Sequence, residues 1–348
     1  MYKKLFSMLV LVIITVTAFA QQADWSVVPY RVGDKWGYSN TDQSMIIQPQ
    51  YEDAGWFING YAVVKKNGKY GYIDRSGKMV IPAKYTSAKP FRQGYVENKA
   101  KGKSDTVLFA GAALKADGYE NCINTKGVIL KVCPAMNENA DPANRGPIET
   151  KEKVYTITNS NGLFDKITDD YMVSGNPDNF YIAQKNGMYG VFNNKFEVVT
   201  PFEYNSLKQV KVGGKVYLLG QRSNIYGVLN GDGTVMMPSE YSNISYVKGR
   251  NNEDYFIVTK DGKSYVRTLD NKDLFTSEYA NIDYDMNGGF VVTDANGNRG
   301  FYYPNNTTVS PKYSEVNLVN TNSGYLKVKT KNGKTGYVSP TGVEYFKD

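Results

Sequence analysis

Short runs in which apolar and polar residues alternate recur along this chain, each closed by turn-forming residues. Leu326, Val328 and Thr330 alternate with Lys327, Lys329 and Lys331, a period of two that puts one face on a core and the other in water. Tyr61-Ala62-Val63-Val64-Lys65-Lys66 leads into Asn67-Gly68, a hairpin signal because both turn residues take positive φ. Gly71-Tyr72-Ile73-Asp74 reads as the returning strand, Arg75-Ser76-Gly77-Lys78 as a second turn, and Met79-Val80-Ile81 as a third strand. Pro82 stops pairing because it lacks an amide donor. The connection through Tyr85 to the next unit reads as a loop. Asn186-Gly187, Asp261-Gly262, Asn296-Gly297 and Asn332-Gly333 repeat the hairpin, and no long stretch has helical periodicity. The prediction is an all-β chain of three short strands per unit.

The units are in register. A Gly is followed by a Tyr at Gly37/Tyr51, Gly71/Tyr85, Gly190/Tyr204, Gly227/Tyr241 and Gly300/Tyr313, and Gly336 opens a last, truncated unit. The Gly is replaced at Asp105/Tyr119 and Tyr265/Tyr279, and Pro49, Pro82, Pro201, Pro238 and Pro311 precede the Tyr. A period of 34–38 residues means that each unit is one supersecondary piece stacked on its neighbours. About eight antiparallel repeats are expected. They divide into 24–119, an irregular insertion or linker over 120–153, and 154–348, which opens with a trimmed unit (strand Val154–Thr158, turn Asn161-Gly162, end Tyr171). In the third unit Gly102, Gly111 and Tyr119 read as the counterparts of Gly68, Gly77 and Tyr85. An open curved solenoid is expected, because the unit is short for a propeller blade. The alternative is a closed, propeller-like ring, with the segment near Val27–Val32 completing the truncated last unit.

Lys35-Trp36-Gly37-Tyr38 followed by Ile46-Ile47-Gln48-Pro49-Gln50-Tyr51 resembles the WG-repeat family. So does Asn67-Gly68-Lys69-Tyr70-Gly71-Tyr72-Ile73-Asp74 followed by Met79-Val80-Ile81-Pro82-Ala83-Lys84-Tyr85. The resemblance extends over most of the chain after residue 24, although Tyr70, Tyr189 and Tyr226 take the Trp position in later units. It implies a binding or scaffolding β-repeat and carries over no catalytic residues.

The first twenty residues change the picture of location. Lys3 and Lys4, the apolar run Leu9–Val16 and Ala18-Phe19-Ala20 have the form of a secretory signal peptide over 1–20, with a mature chain starting near Gln21. No later segment is long and apolar enough to be a spanning helix. The expected location is the periplasm or the cell surface of a Gram-negative bacterium. Without Lys3 and Lys4 the formal charge falls from +7 to +5, and basic residues are interspersed with acidic ones, so nucleic acid is not expected as a partner. Histidine is absent, which removes Ser–His–Asp and Cys–His nucleophile systems and imidazole metal sites. In an oxidising compartment Cys122 and Cys133 are expected to form a disulfide.

Residues that break the register are the candidate sites. Trp25, Trp56, Tyr284, Tyr302 and Tyr303 lie outside the shared positions and could stack on sugar rings or anchor a protein partner; the structural reading of Trp56 is a cap on the loop beside Phe57. Asp283-Tyr284-Asp285-Met286-Asn287-Gly288 with Asp294 has the spacing of a calcium loop, although Gly288-Gly289-Phe290 also reads as an ordinary strand junction. Asp285 stands where other units place Phe57, Phe91, Val210 or Val247. No cofactor and no catalytic residue is assigned. The expected function is a non-catalytic exported module that binds or scaffolds another envelope protein. The alternatives are glycan or peptidoglycan recognition through the off-register aromatics and a carboxylate-type glycan hydrolase.

Overall fold

The computed structural model describes residues 23–98, 103–115, 120–131, 133–134, 163–250, 253–320 and 322–348. The predicted signal peptide, Tyr119, Gly102 and the Val154–Gly162 strand and turn lie outside them. The described residues form eight small sheets, antiparallel apart from one parallel pair, and no α-helix. In order, the sheets span 27–51, 53–85, 87–124, 166–204, 206–241, 243–268, 281–313 and 315–338. Two compact units result, Met1–Asn144 with Tyr345–Asp348, and Arg145–Glu344.

One close approach explains the repeat. In the second sheet Tyr70 pairs with Tyr85 and Tyr72 with Ile81, so a bulge carrying Pro82 and Ala83 lies opposite Gly71. A Cβ on Gly71 would stand 2.7 Å from the carbonyl oxygen of Ile81 and from the amide nitrogen of Ala83. The same crossing occurs at Gly190 against Thr200 O, at 2.7 Å, and at Gly227 against Met237 O, at 2.8 Å. Gly37 and Gly300 make it against Ile47 and Val309. Bulges bend and twist a strand, and after the bend the ladder Tyr reaches the next unit, as Tyr51 Oη does to Gly77 O and Tyr313 Oη to Glu344 Oε1. Tyr51, Tyr85, Tyr204, Tyr241 and Tyr313 are buried at that point, whereas Tyr279 is half-buried.

The sixth and eighth sheets have no fourth strand among the described residues, although the eighth keeps Gly336 and makes the bridge Val338–Glu344. In the sixth sheet Tyr265 stands at the Gly position, and the sheet keeps three strands, its outer segment making only the isolated bridges Ser264–Tyr279 and Arg267–Asp273. The third sheet has Asn121 there, and the described part of its outer segment makes the bridge Ile123–Ile129 and the bond from Leu130 N to Cys122 O at 2.7 Å.

The strand count per sheet corrects the three-strand expectation. In the second, fourth, fifth and seventh sheets a further strand precedes the hairpin: Asp53–Ala54, Lys166–Met172, Ser206–Val212 and Asn281–Tyr284. These segments read as loop because their apolar positions are few, yet each supplies side chains to the inter-sheet core. The clusters draw from neighbouring sheets: Tyr72, Ile81 and Tyr85 meet Phe91, Ala110 and Ile123, and Met237 and Tyr241 meet Phe256 and Val258. Tyrosine hydroxyls join sheets as well. Tyr38 donates to Gly55 O at 2.8 Å and Tyr72 to Lys89 O at 3.0 Å.

The register of the third unit is also corrected. Gly111 pairs with Cys122 inside the strand Lys103–Ala113, and the turn equivalent to Asp74–Lys78 is Asn124–Val128. Asn124 N donates to Val128 O and Gly127 N to Asn124 O, matching Asp74 N to Lys78 O and Gly77 N to Asp74 O. Residues 121–130 are therefore scaffold, and the irregular segment begins later than 120. Tyr171, expected as the end of a trimmed unit, lies instead in the first strand of the fourth sheet. Cys122 and Cys133 are bonded, with sulfurs 1.99 Å apart.

The first sheet takes its fourth strand from far along the chain. Phe346–Lys347 pairs in parallel with Val27–Val32. The pairing anticipated at Val27–Val32 occurs with the roles reversed, since the C-terminal segment completes the N-terminal sheet. Arg31, buried, clamps it: Nη2 meets Asp348 Oδ1 at 2.6 Å and the guanidinium lies over the Phe346 ring.

Two outcomes follow from this packing. Gly71→Ala forces a Cβ into backbone and should lower stability by about 1–3 kcal/mol in urea unfolding, while Gly68→Ala, free of contacts but at φ 72°, should cost about 1 kcal/mol through backbone strain alone. Burial holds the hydroxyls of Tyr72, Tyr171, Tyr255, Tyr303 and Tyr313 above their ordinary pKa. A raised folded-state pKa gives stability that is full below the unfolded value of about 10 and is lost as pH rises above it. With no histidine, thermal midpoints should be nearly flat between about pH 6 and 9 and fall above about pH 10; a midpoint that holds constant into the alkaline range would contradict the burial.

Candidate functional site

In each antiparallel sheet the first-to-second and third-to-fourth connections share an end. At that end of the sixth, seventh and eighth sheets the turns frame a cleft of about 360 Å³. Its floor is Tyr255, Tyr303 and Leu318, all buried, and half-buried Tyr284 stands beside them. Arg250, Glu253, Pro304 and Asn305 form the exposed rim. A recess of about 190 Å³ adjoins it, lined by Arg250, Asn287, Val319, Asn320 and Asn322.

Hydrogen bonds fix these groups. Tyr255 donates to Glu253 Oε2 at 3.0 Å and Tyr303 to Gly324 O at 2.6 Å. Burial raises the pKa of both phenols, so they remain donors across the physiological range. Arg250 N donates to Tyr284 Oη at 3.2 Å, and its Nε donates to Met286 O at 3.1 Å. Arg250 thereby stands at the boundary of cleft and recess.

The structure separates the five candidate aromatics. Tyr284 and Tyr303 meet in the cleft. Tyr302, 5 % exposed, packs on Phe275 with ring centres 4.0 Å apart and belongs to the core. Trp56 is 8 % exposed and packs edge-on against half-buried Trp25 at 4.9 Å. The expectation of a free Trp56 surface is corrected: Asp24 N donates to Phe57 O at 2.9 Å, which draws the N-terminal segment over the loop.

The carboxylates of the calcium-like loop have protein partners. Among the described residues no group of three or more His, Cys, Asp or Glu side chains could hold a metal ion. Asp285 Oδ1 accepts from Asn287 N at 2.7 Å, and Oδ2 accepts from Leu318 N at 3.2 Å in the next sheet. That bond across sheets is why an acid stands in an otherwise apolar position. Asp294 serves its own turn, accepting from Asn296 N and Asn298 N, each at 2.9 Å, and Asp283 takes a bond from Asn281 Nδ2 at 2.7 Å.

One feature escaped the sequence reading. Each sheet has a turn after the returning strand of its hairpin whose fourth residue takes positive φ: Gln43, Gly77, Gly127, Phe196, Gly233, Asn271, Asn306 and Gly342. Gly and Asn accept that conformation readily, but a bulky side chain there costs about 1–2 kcal/mol. Phe196 has φ 63° and is 51 % exposed. Its ring stacks 6.0 Å above buried Phe192, and exposed Met172 and Val198 belong to the same sheet. Aligning the turns rather than the strands would have revealed it.

The profile described as WG containing repeat matches residues 36–70 and 70–103. Residues 36–103 are thus similar to two adjacent WG repeats. In these repeats the signature Gly is the bulge-crossing residue and the Trp position, Trp36 or Tyr70, pairs opposite the ladder Tyr. No curated protein matches the sequence. Among solved structures the chain is similar to a eukaryotic initiation factor, at 14 % identity over 93 % of this chain and 95 % of that one, with a TM-score of 0.33. It is also similar to the C-terminal WD40 domain of Sif2, at 11 % identity over 91 % and 93 %, TM-score 0.27. Kluyveromyces lactis Hsv2p follows at 8 % over 80 % and 89 %, TM-score 0.23. No helix among the described residues is long and apolar enough to cross a membrane.

The two carboxylate bonds of Asp285 make a checkable claim. Asp285→Ala should lower stability by about 1–2 kcal/mol, because two backbone donors lose their acceptor. Millimolar calcium and a chelator should give the same melting temperature for the unaltered chain; a calcium-dependent rise would restore the cation reading.

Proposed function

We propose that this chain is an exported, non-catalytic binding module that docks on another exported protein. The observation that carries it is Phe196. A residue needed only to make its turn would be Gly, Asn or another small residue, as in most equivalent turns; an exposed phenylalanine in a left-handed conformation is retained against its own backbone preference. Rigid aromatic side chains are the commonest anchors of protein interfaces. Met172 and Val198 are exposed in the same sheet, and Lys195, next to Phe196 in its turn, is paired with Asp178 at 3.1 Å; an apolar centre with a polar rim is the usual arrangement of an interface. Export is read from the first twenty residues, and it assigns the partner to the periplasm or the outer surface.

The test joins stability and capture. Phe196→Gly relieves the backbone while losing a half-exposed ring, so its stability should stay within about 1 kcal/mol of the parent. A photo-crosslinking residue at position 196, expressed in the native envelope, should capture one exported protein in stoichiometric amount. Competition by the unaltered chain should remove that product, and competition by Phe196→Gly should not. Mass spectrometry of the recovered chain should give Gln21 as its first residue. Loss of more than about 2 kcal/mol in Phe196→Gly would show that the ring packs for stability, and failure to capture any protein would equally overturn the reading.

A further inference from the structure

The cleft of the sixth to eighth sheets lies apart from Phe196 and is unexplained by protein docking at that residue. We infer that it is a binding site for a neutral saccharide of about two pyranose rings. The inference goes beyond the docking reading and does not depend on it.

Four properties select the ligand. The hydroxyls of Tyr255 and Tyr303 are already bonded to Glu253 and Gly324, so what they give the cleft is aromatic surface, and half-buried Tyr284 adds a third ring. Such surfaces suit the C–H faces of a sugar ring. The rim supplies donors. Asn305 Oδ1 accepts from Thr307 N at 3.1 Å, and Asn320 Oδ1 accepts from Asn322 N at 2.6 Å. Each carboxamide therefore uses its oxygen on its own turn and leaves its N–H groups for a ligand's hydroxyl or acetamido oxygens.

Charge is balanced, because Arg250 and Glu253 are the ionic groups of the cleft. A phosphate or nucleic acid would call for an excess of cations, and a wholly apolar ligand would leave the amides unsatisfied. An extended peptide adding to a sheet would need open strand edges. The walls here are turns whose backbone groups already bond one another, as Asp285 N does to Gly289 O at 2.9 Å and Val319 N to Tyr325 O at 2.8 Å. The cleft of about 360 Å³ and the adjoining recess of about 190 Å³ give room for two rings with Arg250 at their junction.

The experiment titrates the purified full chain with maltose, cellobiose and N,N′-diacetylchitobiose, following saturation-transfer NMR and tyrosine fluorescence, and then screens an immobilised glycan panel. At least one neutral saccharide should bind at millimolar concentration or below. Tyr284→Ala should weaken it at least about tenfold, the loss expected when a central aromatic contact is truncated. Because Tyr284 also accepts from Arg250, Asn305→Ala and Asn320→Ala, which remove the two carboxamides, provide a second measure and should each weaken binding about threefold, the loss of one hydrogen bond. Phe196→Gly should leave saccharide binding unchanged, so failure here is distinct from failure of the docking reading. Absence of binding across the disaccharides and the panel, or binding that survives Tyr284→Ala and both Asn variants, overturns the inference. So does a preference for anionic over neutral sugars, which the balanced charge does not accommodate.

Discussion

Everything regular in this protein depends on two strands passing closer than a Cβ would permit. At Gly71 and its counterparts the neighbouring strand bulges inward, and its carbonyl oxygen occupies the space of the missing side chain. The bulge turns the strand so that the following Tyr is buried, and the chain continues into the next sheet from there. Proline in the bulge is compatible because no ladder bond is required of it there. The repeat is thus a single geometric device used several times. In the sixth sheet, where Tyr265 stands at the Gly position, the outer segment makes isolated bridges.

A scaffold of this kind separates two kinds of residue. Positions that recur serve the crossing, the turns and the contacts between sheets. Positions that depart from the repeat are either repairs or sites. Asp285 is a repair, because it uses both oxygens to tie its own turn and the next sheet together. Phe196 has no such role in holding its turn, which Asn193 already secures by accepting from Lys195 N and Glu197 N. Tyr284 and Tyr303 combine both roles, since their hydroxyls are bonded and their rings face a cleft.

The sequence made the all-β class, the Asn67-Gly68 hairpins and the ladder Tyr legible, because each has a local physical signature. Asn67 and Gly68 indeed have φ of 51° and 72°. The extra first strand of each sheet was hidden, since a two-residue strand such as Asp53–Ala54 carries no periodicity. The third unit misled because Gly102 and Gly111 fell at familiar offsets by coincidence, while Asn124 and Gly127 held the turn. Of the candidate site, Tyr284 and Tyr303 were visible as register-breaking aromatics. Arg250, Asn305 and Asn320 were not, because they come together only when turns of three sheets share an end. Trp56 was conspicuous by its size, and that same size made it core.

The parallel pairing of Phe346–Lys347 with Val27–Val32 bears on the order in which the protein can assemble. Arg31 and Asp348 lie 317 positions apart, so this is the pairing with the greatest loop to close, and its entropy cost falls due after the intervening hairpins have formed from local contacts. During synthesis the strand that emerges earliest waits longest for its neighbour. Until that neighbour arrives, Val27–Val32 presents an open edge, and Arg31 lacks the carboxylate that accompanies it in the finished sheet. The first sheet is therefore a timer: it is fully closed only once the chain has been made and folded through Asp348.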